Sequence, residues 1–503
     1  MISTIPTFDP YIQSLLELVQ QLTAKQTNVY LVGGALRDHL LGHEIHDLDF
    51  VTDGDTTALS KAVKRSLKGR AFILDDTRQT ARVLSQTSEG KIIHLDFVKF
   101  TGSNLCEDLE NRDFTINAMA LSLTKMDQLL DPFGGKDDLD QKILRTCSTQ
   151  SLSNDPLRVL RGIRLALTYG LNIAEQTQFQ MQSGARELSK ISAERLRDEL
   201  FNILTIGKPI QALLMLDRFN CIQNTLPELE SLKEIPASDP HVNNLWDHTL
   251  HTTAYLDKIL NAIVCNDPEI ISFLPESSMF VESIWPYQQQ LQQHLKNMGQ
   301  GDRSLKPLLL IAALYHDIGK QKTAQMGLDR RLHFYGHAKF SQQAVTKRGV
   351  TLALSNREIE ILSIMTAHHM RIHDLANTKK LPSAKAMYRF FKDSQDCSIP
   401  LCLLSLADTL ATYEQTLPQE LWRHELNVVT LLFDAFFNKA EEVVKPVKLV
   451  DGNDLINNFG LKPGPDFAKI LEMVLEEQVE GNISNRMDAL AFIEKYLKGN
   501  QEK

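Results

Sequence analysis

Residues 28–53 read Asn-Val-Tyr-Leu-Val-Gly-Gly-Ala-Leu-Arg-Asp-His-Leu-Leu-Gly-His-Glu-Ile-His-Asp-Leu-Asp-Phe-Val-Thr-Asp. The apolar run Val29–Val32 stops at Gly33-Gly34, the pattern of a buried strand ending in a tight turn. Ala35–Leu41 then has helical character, and Leu48–Val51 reads as a second strand with Asp47 just ahead of it. Alternate strand residues share a face, so Asp47 and Asp49 are expected side by side. Such carboxylates repel unless a cation sits between them, and hard oxygen donors suit Mg²⁺. The glycine turn and Arg37 offer N–H groups and a guanidinium to a phosphate. An Asp-x-Asp pair alone is more often a solvated strand surface. With Gly-Gly-x-x-Arg-Asp ten residues upstream, the reading turns to a nucleotide site.

Working outward, 503 residues exceed one ordinary core, and roughly two to four domains are expected. Hydrophobic residues make up 43% and charged residues 23% of the chain, a globular composition. No apolar run reaches membrane-span length and the N-terminus lacks a signal-peptide pattern. Six scattered cysteines include no Cys-x-x-Cys pair, so neither a zinc ribbon nor a disulfide framework is suggested. The expected compartment is the cytoplasm, with no membrane partner. A net charge of −9 argues against wholesale binding to nucleic acid and leaves room for a local basic surface.

An amphipathic helix over 8–24 precedes the head, which runs from about 28 to 146. Thr57–Leu67 reads as a helix; Ala71–Leu74, Thr80–Leu84 and Ile92–Phe100 read as further strands of a mixed sheet. Asp96 on the last of these is a third carboxylate, or an edge-strand aspartate. Glu107 to Ala120 reads as a helix start with acidic residues in its first turn, followed by an apolar stripe. From 147 the chain turns helical. Arg158, Arg161 and Arg164 recur every three residues, so they crowd one helix stripe and repel unless an anion faces them. Asp155, before Pro156, is the expected N-cap.

Together, Gly33-Gly34-x-x-Arg37-Asp38, Asp47-x-Asp49, Arg112-Asp-Phe-Thr-Ile-Asn-Ala-Met-Ala120 and Asn154-Asp155-x-x-Arg158 resemble the bacterial tRNA CCA-adding enzymes and their relatives, the poly(A) polymerases. The resemblance implies an α+β architecture: a mixed-sheet, polymerase-β-like nucleotidyltransferase head, then an all-helical neck, HD domain and tail. It implies that Asp47 and Asp49, with Asp96, hold Mg²⁺. Gly33, Gly34, Arg37 and Arg112 would hold the nucleotide, and Asp155 and Arg158 would read the base of CTP or ATP, with Arg161 and Arg164 nearer the phosphates. A carboxylate accepting from an exocyclic amine and a guanidinium donating to ring acceptors make that readout sound. Asn154 departs from the family's usual Glu. The helix around Glu194-Arg195 is read as neck packing, and the neck is expected over 147–235.

Over 240–415, His248, His316-Asp317 and Asp408 fall in an order that resembles the HD metal-dependent phosphohydrolases, with His337 and His368-His369 between them. Imidazoles with carboxylates suit a second divalent metal that activates water. Residues 266–305 read as a polar loop or insertion, and 419–503 as a helical tail. The implied activity is transfer of C and/or A to a tRNA 3′ end with release of pyrophosphate. Full CCA-adding relatives carry a loop of about a dozen or more residues after the Asp96-type strand. Only Thr101–Cys106 separates Phe100 from Glu107 here, a length that resembles enzymes adding the two cytidines alone. The alternatives are a poly(A) polymerase, an HD phosphohydrolase as the main activity, and a non-catalytic RNA-binding protein with a relic head.

Overall fold

The computed structural model describes residues 7–23, 27–67, 70–75, 79–87, 90–126, 128–299, 303–378 and 380–501. The α+β class expected from the sequence holds. The chain divides into two compact units, Met1–Glu199 with Leu214–Thr225 and Leu200–Leu213 with Leu226–Lys503.

In the first unit, period-two alternation builds a seven-stranded sheet from β1 (Val29–Val32), β2 (Asp47–Thr52), β3 (Arg70–Asp75), β4 (Thr80–Gln86), β5 (Ile92–Lys99), β6 (Ala120–Ser122) and β7 (Leu129–Leu130). Their order is β3-β4-β5-β2-β1-β6-β7. One pairing decides the site: β2 and β5 run parallel with Asp49 opposite Asp96. Asp96 therefore sits on an interior strand, not an edge. The inward residues Leu48, Phe50, Leu95 and Phe97 are fully buried, with Phe50 and Phe97 stacked at 5.1 Å. Helix α1 (Pro10–Leu22) closes that core through Leu15, Leu16 and Val19.

Downstream of the short helix Leu105–Glu110 the expected helix does not continue. A single 3₁₀ turn over Thr115–Asn117 leads directly into β6. Phe114, Ile116 and Ala118 to Leu121 are all buried, so the segment has no solvent face for an amphipathic helix to present. Its amides bond elsewhere, Thr115 N–H donating to the Arg145 carbonyl at 2.9 Å. Helix Leu157–Tyr169 begins one residue later than expected, with Asp155 Oδ1 accepting from Leu157 N–H at 3.3 Å.

The second unit is almost wholly helical. The expected loop over 266–305 is largely two helices, Ser277–Ile284 and Gln288–Met298; residues 300–302 lie outside those described. Phe280 and Ile284, then Leu291 and Leu295, bury themselves at helical spacing. The glutamines that suggested a loop serve the preceding helix instead. Gln288 and Gln292 side-chain amides donate to the Ile263 and Val264 carbonyls at 2.6 and 2.7 Å, at the C-terminus of helix Leu245–Cys265, where Ile263 also accepts from Asn266 N–H at 3.4 Å. The tail opens with the helix Gln419–Asn438, and its last three helices, Gly452–Phe459, Pro465–Val479 and Arg486–Gln501, close around a small core that includes Leu455, Val474 and Ile493.

The arginine stripe of Leu157–Tyr169 is neutralised from within. Arg161 pairs with buried Asp113 at 3.1 Å, and Arg164 with Glu199. Burial opposes charge on Asp113, but Arg161, the Asn117 amide and the Phe114 N–H together hold its carboxyl below the usual range. Replacing Arg161 with Met leaves that carboxylate buried without a counter-charge. The expected cost is about 1–3 kcal/mol, read as a lower urea midpoint at unchanged slope. An ion pair of this sign contributes above the unfolded aspartate pKa, so the difference from wild type should shrink below about pH 4.

Candidate active site and metal centre

In the first unit, Gly33 (φ +77°) ends β1 in a conformation that L side chains rarely adopt. A Cβ there would stand 3.2 Å from Arg112 Nη1 and 3.3 Å from Asp49 Oδ2. The glycine thus preserves a small cradle between a guanidinium and a carboxylate. Burial, with Asp96 and Asp47 nearby, pushes the Asp49 carboxyl up to about 6 against the pull of Arg112. A divalent cation would relieve that crowding. Asp47 is exposed and pairs with His94 at 2.9 Å, while Asp96 grips Arg82 through two bonds of 2.7 Å. These partners hold the flanking carboxylates, so Asp49 is the one left facing the cradle without a lasting ion pair.

Arg112 is aimed by Asp108, whose Oδ2 accepts from its Nη2 at 3.2 Å. The other oxygen of Asp108 accepts from Thr101 N–H at 2.9 Å. The short loop is tied down further. Ser103 N–H donates to Glu107 at 2.8 Å, and Asn104 caps the helix Leu105–Glu110 through Glu107 N–H.

A cleft of about 1410 Å³ is lined by Asp49, Arg112, Asp155, Arg158 and Arg195. The structure brings the first four together as the sequence suggests and adds Arg195. Its Nη2 meets Asp155 Oδ2 at 2.7 Å, so this side chain does more than pack the neck. Its signal in the sequence was only the Glu-Arg pair itself. Arg158 donates to the carbonyls of Asn111 at 2.8 Å and Ser151 at 3.0 Å, holding the backbone that carries Arg112.

Four expected nucleotide contacts, Gly34, Arg37, Arg161 and Arg164, are not brought to the cleft. Arg37 is buried, bonded to Asn117 at 2.6 Å and to Asp38, with its guanidinium over Tyr169 at 4.5 Å. Gly34 lies beneath that guanidinium, a Cβ there meeting Arg37 Nη2 at 3.2 Å. Arg161 and Arg164 are committed to Asp113 and Glu199. The anion of Arg37 is its neighbour Asp38, whereas those of Arg161 and Arg164 lie 48 and 35 residues away, which one-dimensional spacing does not reveal.

In the second unit, His248 on Leu245–Cys265, His316-Asp317 after Leu305–Tyr315, and Asp408 on Ser398–Tyr413 converge. Among the described residues, His248, His316 and Asp408 form one group close enough to share an ion, and Asp317, His337 and His369 form another. His368 is outside both; His337 and His369 enlarge the expected set. Nδ1 of His316, His337 and His369 faces the carbonyls of Ala313, Phe334 and Thr366 at 2.6, 2.8 and 2.9 Å. A carbonyl only accepts, so Nδ1 carries the proton and, in the neutral rings, the Nε2 lone pairs point inward. His337 Nε2 and His369 Nε2 then stand 3.0 Å apart. Among the described residues, His316 Nε2, Asp317 Oδ1 and Asp408 Oδ1 are buried without a hydrogen bond, with His337 Nε2 3.1 Å from Asp317 Oδ1 and His248 Nε2 2.9 Å from Asp408 Oδ1. Facing lone pairs and orphaned carboxylate oxygens are the donor set of a divalent metal, and the residues fit one.

Residues 29–145 match the family model of the poly A polymerase head domain, 170–233 that of the RNA- and SrmB-binding segment of polymerase A, 289–413 the HD domain and 438–493 tRNA nucleotidyltransferase domain 2. The chain is 28% identical over 486 residues to a CC-adding tRNA nucleotidyltransferase of Thermus thermophilus, covering 94% of this chain and 95% of that one. It is 28% identical over 476 residues to an A-adding tRNA nucleotidyltransferase of Deinococcus radiodurans, covering 93% and 95%. A solved CCA-adding enzyme in complex with ATP shares the fold, with TM-score 0.62, 21% identity and coverage of 97% and 96%.

Metal uptake by the histidine–aspartate cluster should release protons. Burial opposes charge on His316, but Asp317 and Asp408 raise it to about 10, so a metal must displace a proton that the ring holds near neutral pH. Titration calorimetry with Mn²⁺ in two buffers of different ionisation enthalpy should show that release. Affinity should rise with pH across the neutral range and on towards about pH 10, where the ring loses that proton, and His316→Ala should remove the binding.

Proposed function

The chain belongs to the bacterial tRNA nucleotidyltransferase family and carries an HD domain, and we propose that it adds two cytidines from CTP to a tRNA 3′ end and leaves the terminal adenosine to another enzyme. The tRNA 3′-hydroxyl attacks the α-phosphate in line, a new P–O bond forms, and pyrophosphate leaves. Mg²⁺ held by Asp47 and Asp49, with Asp96 beside them, would stabilise the charge on the transferring phosphoryl oxygens. Arg112 meets the triphosphate over the Gly33 cradle. Asp155 and Arg158 read the base, with Arg195 orienting the Asp155 carboxylate. A tRNA substrate makes the cytoplasm the compartment of this reading.

The observation that supports cytidine addition alone is the loop. Thr101 and Ser103 are tied to Asp108 and Glu107, and Asp108 also holds Arg112. A connection so short and so bonded has little freedom to reset the nucleotide site between bases.

A second activity rests on the HD half. Its inward lone pairs and orphaned carboxylate oxygens support a metal-dependent phosphohydrolase, whose metal would activate a water for attack on a phosphoester. Lys320, 2.6 Å from Asp317, offers a cation to that phosphate.

Incubating the protein and Mg²⁺ with tRNA lacking its 3′ end should give addition of two residues from CTP and none from ATP. A CCA end made by this protein alone overturns the loop argument, and long A tails would favour a polymerase. Asp49→Asn should lower addition about 10³-fold. Because the Asp49 carboxyl is pushed up to about 6, the wild-type rate should fall as the pH drops through about 6, when a proton replaces the cation.

A further inference from the structure

Beside the histidine–aspartate cluster of the second unit lie two further ionisable side chains, His373 on the short helix Arg371–Ala376 and Glu425 on the helix Gln419–Asn438. Glu425 is 2% exposed, and a carboxylate taken out of water is costly unless it is held. Ser405 and Thr409 hold it, their hydroxyls donating to its two oxygens at 2.7 and 2.6 Å. Both hydroxyls stand on Ser398–Tyr413, the helix that carries Asp408. His373 closes the circuit. Its Nδ1 is 3.6 Å from Glu425 Oε1, and its Nε2 is 2.9 Å from Asp408 Oδ2.

A carboxylate oxygen only accepts, so Nε2 of His373 carries a proton. That is the reverse of His316, His337 and His369, whose Nδ1 atoms face carbonyls and whose Nε2 lone pairs turn inward. His373 is a donor where those three are ligands, and among the described residues it stands outside both groups able to share an ion. With each nitrogen facing a carboxylate, the ring has none left for a bound molecule. What it does is divide Asp408. Oδ2 is taken, and Oδ1 faces His248 Nε2 at 2.9 Å and His316 Nε2 at 3.5 Å.

Resting on the metal-centre reading of this half, we propose that Glu425 and His373 are positioning residues for its ion: Glu425 fixes the imidazole, and the imidazole holds Asp408 so that Oδ1 alone is presented. A ligand carboxylate pinned by an outer partner has already lost the rotation that binding would otherwise cost. The arrangement is anchored at both ends to one helix, since Ser405 and Thr409 flank Asp408 on Ser398–Tyr413.

The test uses the full-length chain carrying Asp47→Asn and Asp49→Asn, which removes the other carboxylate pair able to take Mn²⁺, and follows Mn²⁺ by electron paramagnetic resonance. On this parent, His373→Phe and Glu425→Gln should each weaken Mn²⁺ binding about tenfold and change the line shape of the bound ion, because Asp408 is then free to turn. His373→Gln returns an N–H donor toward Oδ2 and should restore both. A role in packing alone would lower the urea midpoint of His373→Phe and leave Mn²⁺ binding as in the parent. That result, or a His373→Gln variant as weak as His373→Phe, overturns the positioning role while the metal reading stands. Should His373→Phe not fold, Glu425→Gln, which keeps the shape of the side chain, decides in the same way. Failure of the parent to bind Mn²⁺ overturns the metal reading itself, and the positioning role with it.

Discussion

Crowding of like groups that cannot relieve one another governs both candidate sites. In the first unit the parallel pairing of β2 with β5 sets Asp49 opposite Asp96, and burial keeps water from screening the repulsion. In the second, backbone carbonyls hold the Nδ1 protons of three histidines and so turn the Nε2 lone pairs toward each other. Each arrangement carries a cost that its own ion pairs offset only in part. The cost is carried by what surrounds it, the Phe50–Phe97 core beneath the sheet and the buried helices Leu305–Tyr315 and Ser398–Tyr413 around the cluster. A divalent cation is the simplest group that turns each cost into a bond.

The relief is graded by partners. Asp96 and Asp47 have Arg82 and His94; Asp49 has the cradle. Asp317 has Lys320 on one oxygen, while the Nε2 atoms of His337 and His369 stand 3.1 and 3.5 Å from the other. Asp108 does the same for the nucleotide side, with one oxygen on the loop and one on Arg112. Loop length and arginine position are therefore one variable, which gives the short connection a mechanical consequence for the site.

Much of this was legible along the chain because it depends on neighbours in sequence. The strands around Gly33-Gly34 and Asp47-x-Asp49 follow from period-two burial and a glycine turn. The apolar run before His316-Asp317 makes a buried helix wherever it packs. What misled was polarity read without partners. The glutamines of 288–292 looked like a loop and are helix caps for Ile263 and Val264. The arginines at 37, 161 and 164 looked like phosphate ligands and are bound to Asp38 and Asn117, Asp113 and Glu199.

The sequence by itself determined the class of the fold, the two carboxylates of β2, the Gly33 turn and the His, His-Asp, Asp order, since each rests on local periodicity or on residue chemistry. Tertiary structure alone decided which charges remain free. An arginine serves a ligand or a buried aspartate according to what lies across the fold, tens of residues away in the chain. It also decided that His337 and His369 share a centre 3.0 Å across, because a lone pair's direction is set by the carbonyl behind the ring, and no spacing encodes that.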